Sequence, residues 1–306
     1  MNRRTFVLAM AAAVALSPAV LQKAHAQDTF TIGYANLADS DVWLKKVQTD
    51  FAAAAKADPS LNVKFADANG DISKQLDQID NFIAQKVNAI VVLPVDYDGV
   101  VPGVEKANAA GIPVISLAIR SNGGKYFYVG SSNLDAGKLQ AQFMHDHLPK
   151  DAQIVYLQGT LGLYHSNERY KGFTENLNRP DVKILAVQSA DYDRAKGMAV
   201  TEDWIQSFPQ IDGVVAANDQ MALGALQALK AAGRQNVLIS GIDGLQDTLK
   251  AIVDGDIAHS VFQNASAQAD AAVKVVEEIK AGKTPKDETI VPFEPITKEN
   301  VNKYLK

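Results

Sequence analysis

The chain has 306 residues, of which 47% are hydrophobic and 21% charged, a composition that belongs to a globular protein and excludes a disordered, collagen-like or polytopic membrane protein. It carries 30 basic and 35 acidic residues, for a net charge of -5, and no cysteine. A nucleic-acid partner is therefore not expected, and disulfides, thiolate metal sites and cysteine nucleophiles are excluded.

Residues 1–26 have the order of a cleavable export signal. Arg3 and Arg4 precede an apolar stretch over residues 6–21, and an Ala-His-Ala pattern ends the segment. Basic, apolar and A-x-A elements in this order predict a signal peptide processed after Ala26. The apolar stretch is short for a membrane-spanning helix and is interrupted by a Ser-Pro pair. Paired arginines occur in both twin-arginine and general secretory (Sec) signals, so both export routes stay open.

Removal of this signal makes the protein more acidic. Three basic residues leave with it, so the mature chain of 280 residues has 27 basic against 35 acidic residues and a net charge of -8.

From residue 29 onward, short apolar runs alternate with longer amphipathic segments, which predicts repeated βα units around parallel sheets. The first series of predicted strands covers residues 30–36, 63–67, 89–93, 114–118 and 126–129. The second series covers residues 153–158, 183–188, 213–216, 237–240 and 257–262. The predicted helices include residues 42–56, 72–85, 135–148, 167–177, 195–207 and 220–232. Two successive series indicate two similar doubly wound α/β lobes rather than one barrel.

Ligands of open parallel sheets bind beyond the carboxyl ends of the strands, so the residues after each predicted strand are candidate contacts. Taken singly, these residues also have purely structural explanations: helix core for Trp43, an N-cap for Asn218 and a turn for Asp243. Their common position in both lobes favours a shared site. The candidates that follow strands, or lie at the start of the next helix, are Asn36, Asp41, Trp43, Arg120, Arg169, Tyr192, Asn218, Asp243 and Gln263.

Five motifs follow one another along the second half of the chain. They are LQG at 157–159, NERYKGF at 167–173, ADYDRAKG at 190–197, ANDQMALGA at 217–225 and GIDG at 241–244. This ordered set resembles the ribose-binding members of the type 1 periplasmic binding proteins, and the similarity runs from about residue 31 to residue 291.

The resemblance implies two doubly wound parallel-sheet α/β lobes, joined by a three-stranded hinge, that close on a sugar. It implies an N-terminal lobe of residues 27–131 and 264–291, and a C-terminal lobe of residues 132–263 and 292–306.

The same resemblance implies the ligand contacts. The family's aromatic residue near the start of the first helix corresponds to Trp43, and Asp41 lies near the position of a hydrogen-bonding asparagine. The arginine of the family's R-x-x-G-F run corresponds to Arg169. The family's second aromatic residue corresponds to Tyr192, and its asparagine before D-x-M-A-L-G corresponds to Asn218. The aspartate of its G-x-D-G turn corresponds to Asp243, and its glutamine near the hinge corresponds to Gln263.

These residue types suit a sugar, which offers two apolar faces and a rim of hydroxyl groups. Trp43 and Tyr192 could cover the two faces from opposite lobes. The Asp243 carboxylate only accepts hydrogen bonds and the Arg169 guanidinium only donates them, so together they bind hydroxyls in both roles.

One position departs from the family pattern. After the strand at 114–118 the family carries an Asp-Arg pair that holds the ring oxygen and the anomeric hydroxyl, whereas this chain reads Ala118-Ile119-Arg120. The departure favours a ketose, a cyclic polyol such as an inositol, or a linear polyol over an ordinary aldopyranose. Asn36 is the expected replacement contact.

Signs of catalysis, cofactors and metals are absent from the sequence. His145 and His147 are two residues apart on a predicted helix and therefore face different directions, which argues against a metal pair. We find no phosphate loop, dinucleotide-binding motif or nucleophile elbow, so neither a cofactor nor an enzyme activity is expected.

The sequence thus predicts a monomeric periplasmic solute-binding protein. It is expected to capture a monosaccharide or polyol by hinge closure and to deliver it to an ABC permease in the inner membrane. The alternative is a ligand-loaded sensor that docks on a chemoreceptor or a sensor kinase.

Overall fold

A computed structural model describes residues 29–234 and 236–305. The predicted signal peptide, residues 1–26, lies outside these described residues. The first lobe begins with the strands β1 (Phe30–Asn36), β2 (Leu61–Asp67), β3 (Ala89–Val92), β4 (Val114–Leu117) and β5 (Phe127–Gly130). The helices between them are α1 (Val42–Ala55), α2 (Ile72–Ala84) and α3 (Val101–Ala109).

The second lobe repeats this alternation. Its strands are β6 (Gln153–Gln158), β7 (Lys183–Ser189), β8 (Gly213–Ala216), β9 (Leu238–Asp243) and β10 (His259–Phe262). Its helices are α4 (Asn133–His147), α5 (Tyr164–Asn176), α6 (Arg194–Ser207), α7 (Asp219–Ala231) and α8 (Gln246–Asp254). The elements α9 (Ala265–Lys280), β11 (Glu288–Ile290) and β12 (Glu294–Ile296) follow.

The strands form two six-stranded sheets with the orders β11-β5-β4-β3-β1-β2 and β12-β10-β9-β8-β6-β7. Neighbouring strands are parallel, except that β12 runs antiparallel to β10. The first strand of each lobe, β1 or β6, lies inside its sheet and pairs with a strand on either side. The strand order reverses at this strand, as in doubly wound folds. The predicted α/β class with two parallel-sheet lobes is confirmed.

The chain passes between the two sheets three times. It does so between β5 and α4, between β10 and α9, and between β11 and β12. Helix α4 packs on α5, β9 and β10 of the second lobe, whereas α9 packs on α1, β4 and β5 of the first. These three passages form the hinge, at residues 131–132, 263–264 and 291–293. The residue boundaries of the lobes themselves stay a prediction.

Alternate strand residues of the first lobe face two separate cores. Ile32 and Tyr34 of β1 pack with α1 and α9, whereas Ala35 packs with α2 and α3. Burial of both sheet faces explains why these strands are continuously apolar, as expected for parallel sheets covered by helices. Among the described residues, none of the helices has the length and apolar character that crossing a membrane requires.

All ten strands and six helices predicted above are present, and their ends differ by at most three residues. The structure adds the helices α3, α8 and α9 and the two strands β11 and β12. Helices α3 and α8 have only nine residues each, and the two added strands have three residues each. Segments this short show too few periods of a helix or strand pattern to be recognised.

Candidate ligand-binding site

A cavity of about 310 Å³ lies between the two lobes, at the carboxyl ends of strands from both sheets. The first lobe supplies the loops after β1 and β4, and the second supplies the loops after β6, β7, β8 and β9. The structure brings seven of the nine predicted contact residues to the wall of this cavity: Asp41, Trp43, Arg169, Tyr192, Asn218, Asp243 and Gln263.

Arg169 is buried and held in place by three hydrogen bonds. Its Nε donates to Asn133 Oδ1 (2.9 Å), Nη1 to the Ala217 carbonyl oxygen (2.7 Å) and Nη2 to Gln263 Oε1 (2.9 Å). All three acceptors are neutral, and they use three of the five N–H groups of a guanidinium. The arginine is therefore positioned before a ligand arrives and retains donors for it.

Trp43 connects the first lobe to the hinge. Its indole Nε1 donates a hydrogen bond to the carbonyl oxygen of Gln263 (2.9 Å), and the side chain of Gln263 accepts from Arg169. A continuous set of hydrogen bonds thus runs from α1 through the hinge to α5. Because the indole N–H is already bonded, Trp43 offers the ligand its ring rather than a donor.

Tyr192 lies on the second-lobe wall in a left-handed conformation, with φ at 59°. Its ring packs against the backbone at Gly159, where an added methyl group would overlap the ring. Asn218 caps α7 by accepting from the Met221 N–H (3.0 Å), and its Nδ2 lies 3.4 Å from the Tyr192 carbonyl oxygen. The N-cap role expected for Asn218 is present, and it coexists with a place in the cavity wall.

Asp243 ends β9 and is almost fully buried in the cavity wall. The backbone N–H of Asp219 favours the charged form of this carboxyl group. Burial raises the pKa of Asp243 well above the usual range, the nearby Asp219 raises it further, and Arg169 opposes the shift. Because burial removes water from this carboxyl group, each additional hydrogen-bond donor, such as a ligand hydroxyl, stabilises its charged form.

Asp219 holds the segment that carries Asp243. It accepts from Ser260 Oγ (2.7 Å) through Oδ1 and from the Leu245 N–H (2.8 Å) through Oδ2. Burial raises the pKa of Asp219 to about 6. No sequence pattern distinguishes Asp219 from an ordinary acidic residue in the first turn of a helix, since its partners lie 26 and 41 residues away.

Asp41 is the N-cap of α1, and its carboxylate accepts from the Leu44 N–H (2.8 Å). Burial raises its pKa, and helix N–H groups and Arg169 oppose the shift. The same carboxylate lines the cavity, so one residue both starts the helix that carries Trp43 and offers acceptors to a ligand.

Two predicted contacts, Asn36 and Arg120, lie outside the cavity wall. Asn36 is buried, and its Nδ2 donates to Asp39 Oδ1 (2.7 Å), which orders the loop after β1. The Arg120 guanidinium lies 3.8 Å from the ring centroid of Tyr128 and forms an ion pair with Glu288 (2.7 Å). Ala118, two residues earlier, does line the cavity.

Backbone strain is concentrated at this cavity. Nine non-glycine residues of the described chain have a positive φ, and four of them line the cavity. Conformations of this kind cost about 1–3 kcal/mol each and persist where the surrounding structure enforces them, frequently at functional sites. The four residues are Ala118 (64°), Asp191 (50°), Tyr192 (59°) and Asp243 (132°).

Asn133 and His165 also line the cavity, and neither is among the nine candidates named above. Asn133 begins α4 directly after the hinge, and its Oδ1 accepts from Arg169. The signal for His165 was its place four residues before Arg169, which puts both side chains on one face of α5. Among the described residues, no group of three or more acidic or histidine side chains is arranged to hold a metal ion.

A cavity between two doubly wound lobes, bounded by a three-segment hinge, defines a bilobal binding protein. A model of the periplasmic binding protein domain family matches residues 32–284, and the chain belongs to this family.

Named relatives agree with this assignment. The chain is 39% identical over 251 residues to a xylitol-binding protein of Mycolicibacterium smegmatis, across 81% of this chain and 72% of that protein. It is 36% identical over 224 residues to a ribose import binding protein of Bacillus subtilis, across 73% of each. The crystal structure of an ABC transporter solute-binding protein from Bacillus halodurans, with bound myo-inositol, has 33% identity and a TM-score of 0.85. That match covers 91% of this chain and 97% of the other.

Proposed function

We propose that this protein binds a monosaccharide or polyol in the interlobe cavity and delivers it to an ABC permease of the inner membrane. The observation that carries the proposal is the pairing of Arg169, which donates only, with Asp41 and Asp243, whose carboxylates accept only. Each hydroxyl of a sugar both donates and accepts. The ring of Trp43 supplies apolar surface that a carbohydrate also needs, and Tyr192 lines the opposite wall in the second lobe.

The ligand class is narrowed by the first-lobe wall. Ala118 lines the cavity where the family carries an Asp-Arg pair, and the guanidinium of Arg120, two residues later, is bonded to Glu288 instead. The wall therefore lacks the group that would hold a ring oxygen and an anomeric hydroxyl. Two of the relatives above bind polyols, xylitol and myo-inositol, by name. A polyol is the favoured ligand.

Hinge closure is the proposed mechanism. The ligand would contact Trp43 and Asp41 of the first lobe together with Arg169 and Asp243 of the second, so it stabilises the arrangement in which both lobes surround it. Only contacts that exist in the closed arrangement shift the equilibrium towards it.

The setting of the proposed function is the periplasm, reached through the signal of residues 1–26. Related proteins are named as binding proteins, and the proposal includes a monomer without catalytic activity. Ligand recovered chemically unchanged after prolonged incubation with the protein is the expected result, and a converted product would contradict this part.

Isothermal titration against a panel of sugars and polyols, with thermal shift in parallel, tests the proposal. Xylitol, myo-inositol and ribose form the core of the panel. Asp243→Asn should weaken the observed binding by about tenfold or more, because a carboxylate that bonds hydroxyls contributes about 1.5–3 kcal/mol. The matched control is Asp254→Asn, an exposed aspartate at the end of α8. Absence of binding and of stabilisation by every member contradicts the proposal.

A further inference from the structure

His165 lies in the first turn of α5, four residues before Arg169. Residues four apart lie on the same face of a helix, and both of these side chains line the cavity. The imidazole is therefore presented to the same space as the guanidinium that anchors the site.

The imidazole also changes what Tyr192 can do. The two rings are stacked, with centroids 5.1 Å apart and planes inclined by 22°. One face of the tyrosine is thus covered by His165, so a ligand cannot pack on that face. On this side of the cavity the second lobe offers the imidazole where the sequence predicted a tyrosine ring.

The imidazole has hydrogen-bonding capacity that the protein does not use. Nδ1 of His165 is buried and has no hydrogen-bond partner among the described residues. Burial, with the charge of Arg169, lowers the pKa of His165 to about 3, so the ring is neutral near pH 7. A neutral imidazole has one donor and one acceptor nitrogen, and leaving a buried polar atom unpaired is unfavourable.

We propose that His165 is a specificity-determining residue, whose imidazole hydrogen-bonds one hydroxyl group of the bound sugar or polyol. The inference rests on the proposed function, because it assigns a further contact within the same cavity. It names one place in the ligand where a hydroxyl is required.

Substitutions at His165 separate a ligand contact from a purely packing role. His165→Phe keeps a stacked ring beside Tyr192 and removes both nitrogens, and His165→Asn keeps a hydrogen-bonding group. With xylitol and myo-inositol as probes, His165→Phe should lose about tenfold in affinity, and His165→Asn should lose less. His147→Phe is the matched control, since that histidine is exposed on α4 and distant from the cavity wall.

Two further measurements distinguish a hydrogen bond to the ligand from a purely packing role. The singly deoxygenated analogue that lacks the contacted hydroxyl should bind wild type and His165→Phe with equal affinity. In nitrogen-detected NMR, the imidazole signals of His165 should shift on saturation with the probe, whereas those of His147 should not.

The outcomes distinguish the two proposals. If wild type binds a probe, and His165→Phe binds it with unchanged affinity and unchanged discrimination between analogues, the inference about His165 is overturned and the proposed function stands. If wild type binds no member of the panel, the proposed function is contradicted, and the inference with it.

Discussion

The ring of Tyr97 stacks on the ring of Tyr164, with centroids 5.0 Å apart and planes inclined by 18°. Tyr97 lies between β3 and α3 of the first lobe, and Tyr164 is the first residue of α5 in the second. The pair is a direct contact between lobes outside the cavity wall. It can form only when the lobes approach each other, so it stabilises the closed arrangement without contacting the ligand.

Tyr97→Ala should therefore weaken ligand binding although the residue lies outside the site. An aromatic pair contributes about 0.5–1.5 kcal/mol beyond its buried area, which corresponds to about two- to tenfold in affinity. Titration calorimetry measures the loss, and small-angle scattering of the ligand-free protein should show a larger open fraction.

Tyr97→Phe is the control, because it keeps the stacked ring and should retain wild-type affinity. Equal affinities for Tyr97→Ala, Tyr97→Phe and wild type would show that the stacking does not contribute to closure.

Arg169→Ala should affect both binding and stability. Loss of the guanidinium removes the donor that faces the ligand and leaves the buried acceptors on Asn133, Ala217 and Gln263 without their partner. We expect affinity to fall by more than about tenfold and the free energy of unfolding of the ligand-free protein to fall by about 1–3 kcal/mol. Titration calorimetry and urea unfolding measure the two effects. Arg169→Lys keeps the charge but not the planar geometry, and should restore little of either.

Arg120→Ala should, by contrast, change affinity by less than about threefold. Its guanidinium is bonded to Glu288 and stacked on Tyr128, and an exposed ion pair with a cation–π contact contributes about 1 kcal/mol to stability. Urea unfolding of Arg120→Ala, Glu288→Gln and the double variant measures the coupling between these side chains. A loss of affinity as large as that of Arg169→Ala would instead place Arg120 in contact with the ligand.

The contrast between these two arginines shows what the sequence can predict. Arg169 lies in a family motif on a predicted helix, so both its element and its place at the ligand were predictable. The direction of Arg120 depends on Glu288, 168 residues away, on a three-residue strand that has no pattern of its own. A partner that distant leaves no signal near Arg120 in the sequence.

The remaining parts of the site show the same distinction. Trp43, Tyr192 and Asp243 follow directly from strand ends and motifs, because the carboxyl ends of parallel strands meet at one edge. The stacking of His165 on Tyr192 joins the first turn of α5 to the loop after β7, in two different βα units, and Tyr192 has a left-handed backbone conformation. Neither the stacking nor the conformation is encoded by a residue type, so both become visible only in the folded chain.

His259 should make stability depend on pH in acid. It is fully buried, stacked on Phe143 with centroids 4.4 Å apart, and its Nδ1 lies 2.9 Å from Ser240 Oγ. Burial lowers its pKa from the ordinary value of 6.5 to about 3. Between these values the unfolded chain binds a proton that the native state does not, so this histidine's contribution to the free energy of unfolding rises with pH and levels off above about 6.5.

The raised pKa values of Asp219 and Asp243 make the free energy of unfolding fall with pH, which opposes the effect of His259. Both carboxyl groups are present in wild type and in His259→Phe, so the difference between the two proteins isolates the contribution of His259. Phenylalanine keeps the stacking on Phe143, and Ser240 retains Gln140 as a partner. From pH 4 to pH 7 wild type should gain on the order of 3 kcal/mol relative to the variant in urea unfolding. Parallel curves for wild type and His259→Phe would mean that His259 is protonated in the native state, and that Ser240 accepts from it rather than donates.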